Sequence, residues 1–225
     1  MENMTRREFI VNGSILVGGT VGTIAMGKDL LTPQTANAKK EKFLESKCGS
    51  GDKKVLVAYA SYCGSTGNVA EAVAQVLCKK GANVDVRLVK SVNDLSPYKA
   101  AVIGSAVRSA SWWPEAIEFV KTNQCALSRM PVAYFLTCLA LYKDSEKNRY
   151  TAKTYMEPAL KAAPKIQPVG TGLFAGALDY SKLNLMYRIV MKSKMKKLGV
   201  PEGDFRNWDA IRSWAEDIGS SLLAV

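Results

Sequence analysis

Apolar residues in this chain come in short runs separated by amphipathic stretches, the arrangement of a parallel sheet flanked by helices. Val55 to Ala60 is continuously apolar or aromatic, which suits a strand buried on both faces. Beyond it Val69, Val73, Val76 and Leu77 mark one side of a helix. Asn68 and Glu71 are spaced as its capping box, and Gly81 is placed to close it in the left-handed conformation. Asn83 to Val89 alternates, with Val84, Val86 and Leu88 against Asp85 and Arg87, and predicts a second, more exposed strand. Ala100 to Gly104, Pro131 to Leu136 and Ile166 to Phe174 predict three more strands, the last near an edge because Pro168 interrupts it. Pro114 begins a helix covered inside by Ile117, Phe119 and Val120, and residues 143–162 read as helical up to Pro158, which should bend or end them. A stripe of Trp208, Ile211, Ala215, Ile218 and Leu222 predicts the closing helix.

Between the first strand and its helix lies Ser61-Tyr62-Cys63-Gly64-Ser65-Thr66-Gly67. Small and hydroxyl residues at a helix N-terminus bring backbone N–H groups and O–H groups together where the helix dipole favours an anion. Neither GxxxxGK[ST] nor GxGxxG is present, which leaves a cradle for a phosphate monoester. An ordinary tight strand-to-helix turn is the alternative. The third strand delivers a second loop, Gly104 to Glu115, in which Trp112 or Trp113 could offer a flat apolar face. Either tryptophan could equally be packing at the helix entry. The C-terminal ends of the strands should share one rim, where open α/β sheets bind ligands, so Thr137, Cys138 and Leu139 join the candidate site.

The 225 residues suffice for one α/β domain with extensions. No histidine occurs, which excludes Ser-His-Asp and Cys-His catalysis and histidine-ligated metals, and a bound cofactor becomes the economical source of chemistry. We assign no catalytic side chain and no metal ligand. The formal charge of +11 points to acidic partners or anionic lipid. No nucleic-acid recognition motif accompanies it, so nucleic acid is set aside. Five cysteines, at positions 48, 63, 78, 125 and 138, include no CxxC, and an odd count leaves at least one thiol unpaired. Cys63 and Cys138 are expected as free thiols.

Thr5-Arg6-Arg7-Glu8-Phe9-Ile10 is similar to a twin-arginine export signal, and Ala36-Asn37-Ala38 supplies a small-x-small cleavage site. Val11 to Met26 is too short and too weakly apolar for a membrane span, and an uncleaved anchor stays open. Residues 1–38 are thus expected as a signal, 39–52 as a flexible leader and 53–225 as the domain. Within the domain, 181–198 reads as an amphipathic insertion carrying Lys182, Arg188, Lys192, Lys194, Lys196 and Lys197. Such a helix suits a membrane surface or an acidic partner, and an ordinary surface helix with a solvated lysine face is the alternative.

Four strings add a resemblance. ASYCGSTGNVAEAVA, the GSA and W-x-P of Gly104 to Pro114, FAGALDYSKL and GDFRNWDAIRSWA are similar to flavodoxin-like proteins, in the branch of the menaquinone-dependent protoporphyrinogen oxidases. The resemblance implies a three-layer α/β sandwich with a five-stranded parallel sheet in order 2-1-3-4-5. It implies FMN, with the phosphate on Ser61 to Gly67. The ring would lie against Ser105 to Arg108, Trp112, Thr137, Cys138, Leu139 and Gly176. It further implies an oxidoreductase or electron-transfer protein exchanging electrons with menaquinone or a redox partner, and, with the signal, a location in the periplasm or on the outer face of the cytoplasmic membrane. A non-catalytic carrier that docks on a membrane or redox complex is the second functional class, and the high positive charge departs from the acidic norm of flavodoxins.

Overall fold

The structure is a computed structural model that describes residues 43–224. The expected signal in residues 1–38 lies outside the described residues.

The chain opens with β1 (Ser46–Cys48), β2 (Lys54–Ala60) and α1 (Ser65–Lys79), followed by β3 (Asn83–Leu88), β4 (Ala100–Arg108) and β5 (Ser111–Trp112). Next come α2 (Pro114–Thr122), α3 (Gln124–Leu127), β6 (Val132–Cys138), α4 (Glu146–Thr154) and α5 (Glu157–Ala162). The C-terminal third holds β7 (Gly170–Ala175), β8 (Ala177–Leu178), α6 (Leu185–Leu198), β9 (Gly203–Asp204) and α7 (Trp208–Leu223).

Parallel strands lie side by side as β3-β2-β4-β6-β7, and two antiparallel strands are added, β1 beyond β3 and β5 on β4. The plain five-stranded sheet is therefore corrected to a seven-stranded mixed one, mostly parallel. Strand β1 falls in the stretch expected to be a flexible leader. It is held by its ladder to β3, by Ser46 Oγ donating to Glu71 at 2.5 Å, and by a Cys48–Cys78 disulfide to the end of α1.

Strand β2 shows why the sheet has helices on both sides. Val55, Val57 and Tyr59 enter one apolar layer with α1 and α7, while Leu56, Ala58 and Ala60 enter the opposite layer with α2 and α5. Both faces being covered, continuous apolar runs are what such strands require.

Local expectations are corrected in four places. Helix α1 starts at Ser65, with Gly64 as its N-cap at φ 81°, so Asn68 and Glu71 sit inside it and cap nothing. Asp85 does not face solvent. It is 2% exposed and bound by Tyr98, Lys54 and Lys47, because β1 covers that edge. Strands β4 and β6 run on through Arg108 and Cys138, converting predicted loop into ladder. Pro158 opens α5 rather than ending a long helix.

Candidate functional site

The rim at the C-terminal ends of β2, β4, β6 and β7 carries a cavity of about 250 Å³. The turn after β2 contributes Ser61, Tyr62, Cys63 and Ser65 to it. Strand β4 gives Ala106, Val107 and Arg108, β6 gives Thr137 and Cys138, and Leu139 and Gly176 follow from the next segments. A second hollow of about 350 Å³ shares Cys63, Ser65, Ala177, Leu178 and Asp179 with the first, so the two form one trough.

At the phosphate end the residues fit an anion. No side chain caps α1, and its first turn holds no acidic residue. The first-turn amide groups have no intrahelical acceptor, so they face the trough with the positive end of the dipole. Gly64 takes the left-handed conformation that lets the chain enter the helix, and its N–H donates to Ser61 Oγ at 3.0 Å. Gly67 lets the turn sit down on the sheet, since a Cβ there would come within 2.9 Å of the Tyr59 ring. Arg206 closes the outer side of this end. Its Nη1 donates to Ser65 O at 3.2 Å and Asn68 Oδ1 at 3.1 Å, while Asp204 fixes the guanidinium from below.

The other end suits a flat apolar ring. Tyr62 and Trp113 stack with centroids 5.4 Å apart, Tyr187 of α6 meets Tyr62 at 5.4 Å, and the Arg108 guanidinium lies 5.1 Å over Trp113. Burial pushes the Tyr62 phenol up, Cys63 and Tyr187 add to the shift, and Arg108 opposes it. Burial likewise raises the Cys138 thiol to about 11, despite hydrogen bonds from the backbone of Leu141 and Ala140. Neither group ionises near neutrality. Beside the rings the two-residue turn from β4 to β5 holds Ser109 and Ala110 at φ 50° and 59°. Two non-glycine residues in the left-handed region amount to strain stored at the rim.

Most residues picked from sequence meet in this trough, and five do not line it. Gly64 and Gly67 shape the turn from behind. Thr66 is fully buried, 2.8 Å from Thr137 Oγ1, where it ties α1 to β6 instead of facing a ligand. Ser105 is also buried, its Oγ accepting from Trp113 N–H at 2.9 Å. Trp112 is corrected outright: at 1% exposure it packs edge-on against Tyr134 in the core, and Trp113 takes the rim. Strand β5 pairs Trp112 with Val107, which turns its side chain inward and its neighbour outward. Sequence reasoning did not place Arg206, Asp179, Tyr187 or Lys194 in the site. The Asp204-x-Arg206 spacing ahead of α7 was the available sign for the first. Cys63, Cys125 and Cys138 take no part in the disulfide.

The flavodoxin domain family matches residues 56–202 of this chain. Protoporphyrinogen IX dehydrogenase (quinone) of Leishmania major is 29% identical over 184 residues, which cover 78% of this chain and 79% of the relative. Among solved structures, a short-chain flavodoxin associated with a PDU bacterial microcompartment shares the fold at a TM-score of 0.50 and 11% identity, over 76% of this chain and 97% of its own. A flavodoxin of Streptococcus pneumonia TIGR4 aligns at a TM-score of 0.47 and 14% identity, over 76% and 98%.

Proposed function

The chain belongs to the flavodoxin domain family and is a redox protein that binds FMN, and on that premise we propose an exported, quinone-linked oxidoreductase acting on a porphyrinogen. The observation that carries the reading is the trough itself, an uncapped helix N-terminus at one end and an aromatic wall at the other, bordered by a basic helix. FMN when bound supplies one- and two-electron transfer. The protein's part is to hold and shield it. The α1 amide groups and Ser61 and Ser65 hold the phosphate. Tyr62, Trp113 and Tyr187 exclude water from the ring end, and Arg108 sets positive charge beside it. The 29% identity to a quinone-dependent protoporphyrinogen dehydrogenase supports the substrate class, with menaquinone or a redox protein as acceptor. An anionic membrane surface contacted through residues 181–198 belongs to the same reading.

Export through the paired arginines draws support from the Cys48–Cys78 disulfide, since such bonds persist in oxidising compartments. Replacing Arg6 and Arg7 by Lys should leave the protein in the cytoplasm, and undiminished export would end that part of the proposal. The domain division stays within the proposal, with 1–38 as the signal and 53–225 as the FMN domain, to which β1 of the leader adds an edge strand.

A non-catalytic carrier is the second reading. It draws on a chain without histidine whose rim phenol Tyr62 and rim thiol Cys138 are both shifted upward, so that neither gives up a proton near neutral pH. Anaerobic incubation with protoporphyrinogen and a menaquinone analogue, followed by porphyrin fluorescence, separates the two. Turnover supports the enzyme. Flavin reduction and reoxidation by a partner without porphyrin formation supports the carrier.

A further inference from the structure

Helix α6 is apolar on two faces, and among the described residues only one of them is covered. Inward, Tyr187, Met191 and Met195 line the trough, and Met195 joins Leu178 and Val200 in a small apolar cluster. Outward, Leu185, Met186, Ile189 and Val190 are 69%, 75%, 59% and 53% exposed. These four form two i,i+4 pairs, so they lie together over the first two turns. The other exposed large apolar residues, Leu44, Tyr150, Val169 and Leu198, are spread along the described sequence. A contiguous patch of this kind marks an interaction surface.

Charge selects its occupant. Between residues 181 and 198 the sequence holds six basic side chains and no acidic one, and Lys192, Lys196 and Lys197 carry the exposed surface on from the apolar quartet. A second copy would set these like charges against one another. A bilayer with anionic headgroups offers both an apolar phase and negative charge at the right depth. The 14 residues of α6 span about 21 Å, and no described helix is long and apolar enough to cross a membrane, so the helix lies in the interface plane.

We propose that the outer face of α6 inserts into an anionic bilayer surface and so seats the FMN trough, of which the same helix is a wall, beside the lipid. The inference deepens the quinone-linked reading, resting on it for what the trough exchanges with the bilayer: a lipid-dissolved quinone. Reciprocally, Tyr187 on Tyr62 places the docked helix in contact with the aromatic slot.

The test is co-sedimentation of the FMN-loaded full chain with vesicles of phosphatidylcholine, alone or mixed with phosphatidylglycerol. The parent should bind the mixed vesicles, and the Met186→Ser/Ile189→Ser variant should bind them about tenfold or more weaker. Lys196→Gln/Lys197→Gln should lose the preference for anionic lipid. Both variants should keep FMN and, with a porphyrinogen as electron donor, reduce a water-soluble menaquinone analogue at the parent's rate. Parent-like vesicle binding by Met186→Ser/Ile189→Ser would overturn the proposal, as would a parent dimer that this variant dissolves. A chain that reduces the soluble analogue yet ignores vesicles refutes the docking alone. One that docks through this face but reduces no quinone refutes the quinone reading and leaves the docking standing.

Discussion

Helices α1 and α6 border the same trough with 15 and 14 residues, and they dispose of their apolar side chains in opposite ways. Helix α1 buries Val69, Ala70, Val73, Ala74, Val76 and Leu77 against the sheet and α7, whereas α6 buries Met195 alone. The difference lies in what each helix finds to pack on. Helix α1 connects neighbouring parallel strands and is pressed onto a full sheet face. Helix α6 lies outside the sheet, over a two-stranded ribbon of β8 and β9 and a small apolar cluster. Apolar content alone therefore does not say what a helix buries; the position of its element in the topology does.

The sharpest way to break the contrast is to truncate an equivalent leucine in each helix. Leu77→Ala, at a fully buried position, should cost about 3–5 kcal/mol in a denaturant titration. Leu185→Ala should stay within about 0.5 kcal/mol of the parent. Comparable losses would mean that α6 is packed against something within the chain. Next in size is the staple at the C-terminal end of α1, which has no counterpart in α6. Reduction of Cys48–Cys78, or Cys48→Ser/Cys78→Ser, should remove about 2–4 kcal/mol, measured as a lower unfolding midpoint under reductant.

Much of this architecture was legible in the sequence, and the limits were local. Period-2 and period-3.6 patterns located the parallel strands, α1 and α7, since each buries one continuous apolar set. The capping box was misread because Asn68 and Glu71 have the right spacing, yet Gly64 turns the chain into a helix three residues before Asn68. Asp85 read as solvent-facing because β1, a three-residue strand in a polar leader, carries no apolar signal. Which of Trp112 and Trp113 faces the rim depends on the register of β5 against β4, and adjacent residues of one composition cannot reveal it. The Cys48–Cys78 pair was invisible for the same reason as β1: without that strand nothing brings the leader to the end of α1.

Asp85 yields the next prediction. Burial would raise its carboxyl, but the Tyr98 hydrogen bond and then Lys54 and Lys47 outweigh it and hold the group below its ordinary value. The partner phenol Tyr98 is pushed up to about 12 by burial and then by Asp85. A depressed folded value means the contribution is present above the unfolded value, about 3.9, and is lost as pH falls through the folded one. Asp85→Asn should therefore cost about 1.5–3 kcal/mol at neutral pH and flatten the stability profile at acid pH. An unchanged acid limb would place the sensitivity elsewhere.

The smallest effect sits where α6 meets the turn that leads into α1. Tyr187→Leu removes one ring contact with Tyr62, worth about 0.5–1.5 kcal/mol, and should speed amide hydrogen exchange in α6 while leaving α1 protected. Equal acceleration in both helices would show them to be one cooperative unit.

A titration of the FMN-free protein with FMN and, separately, with riboflavin bears most directly on the central claim, that the turn into α1 grips a phosphate while the aromatic rim takes the ring. Quenching of flavin fluorescence should saturate at one FMN per chain, and riboflavin, lacking the phosphate, should bind at least tenfold more weakly. Equal affinity for the two, or no quenching by either, would contradict it.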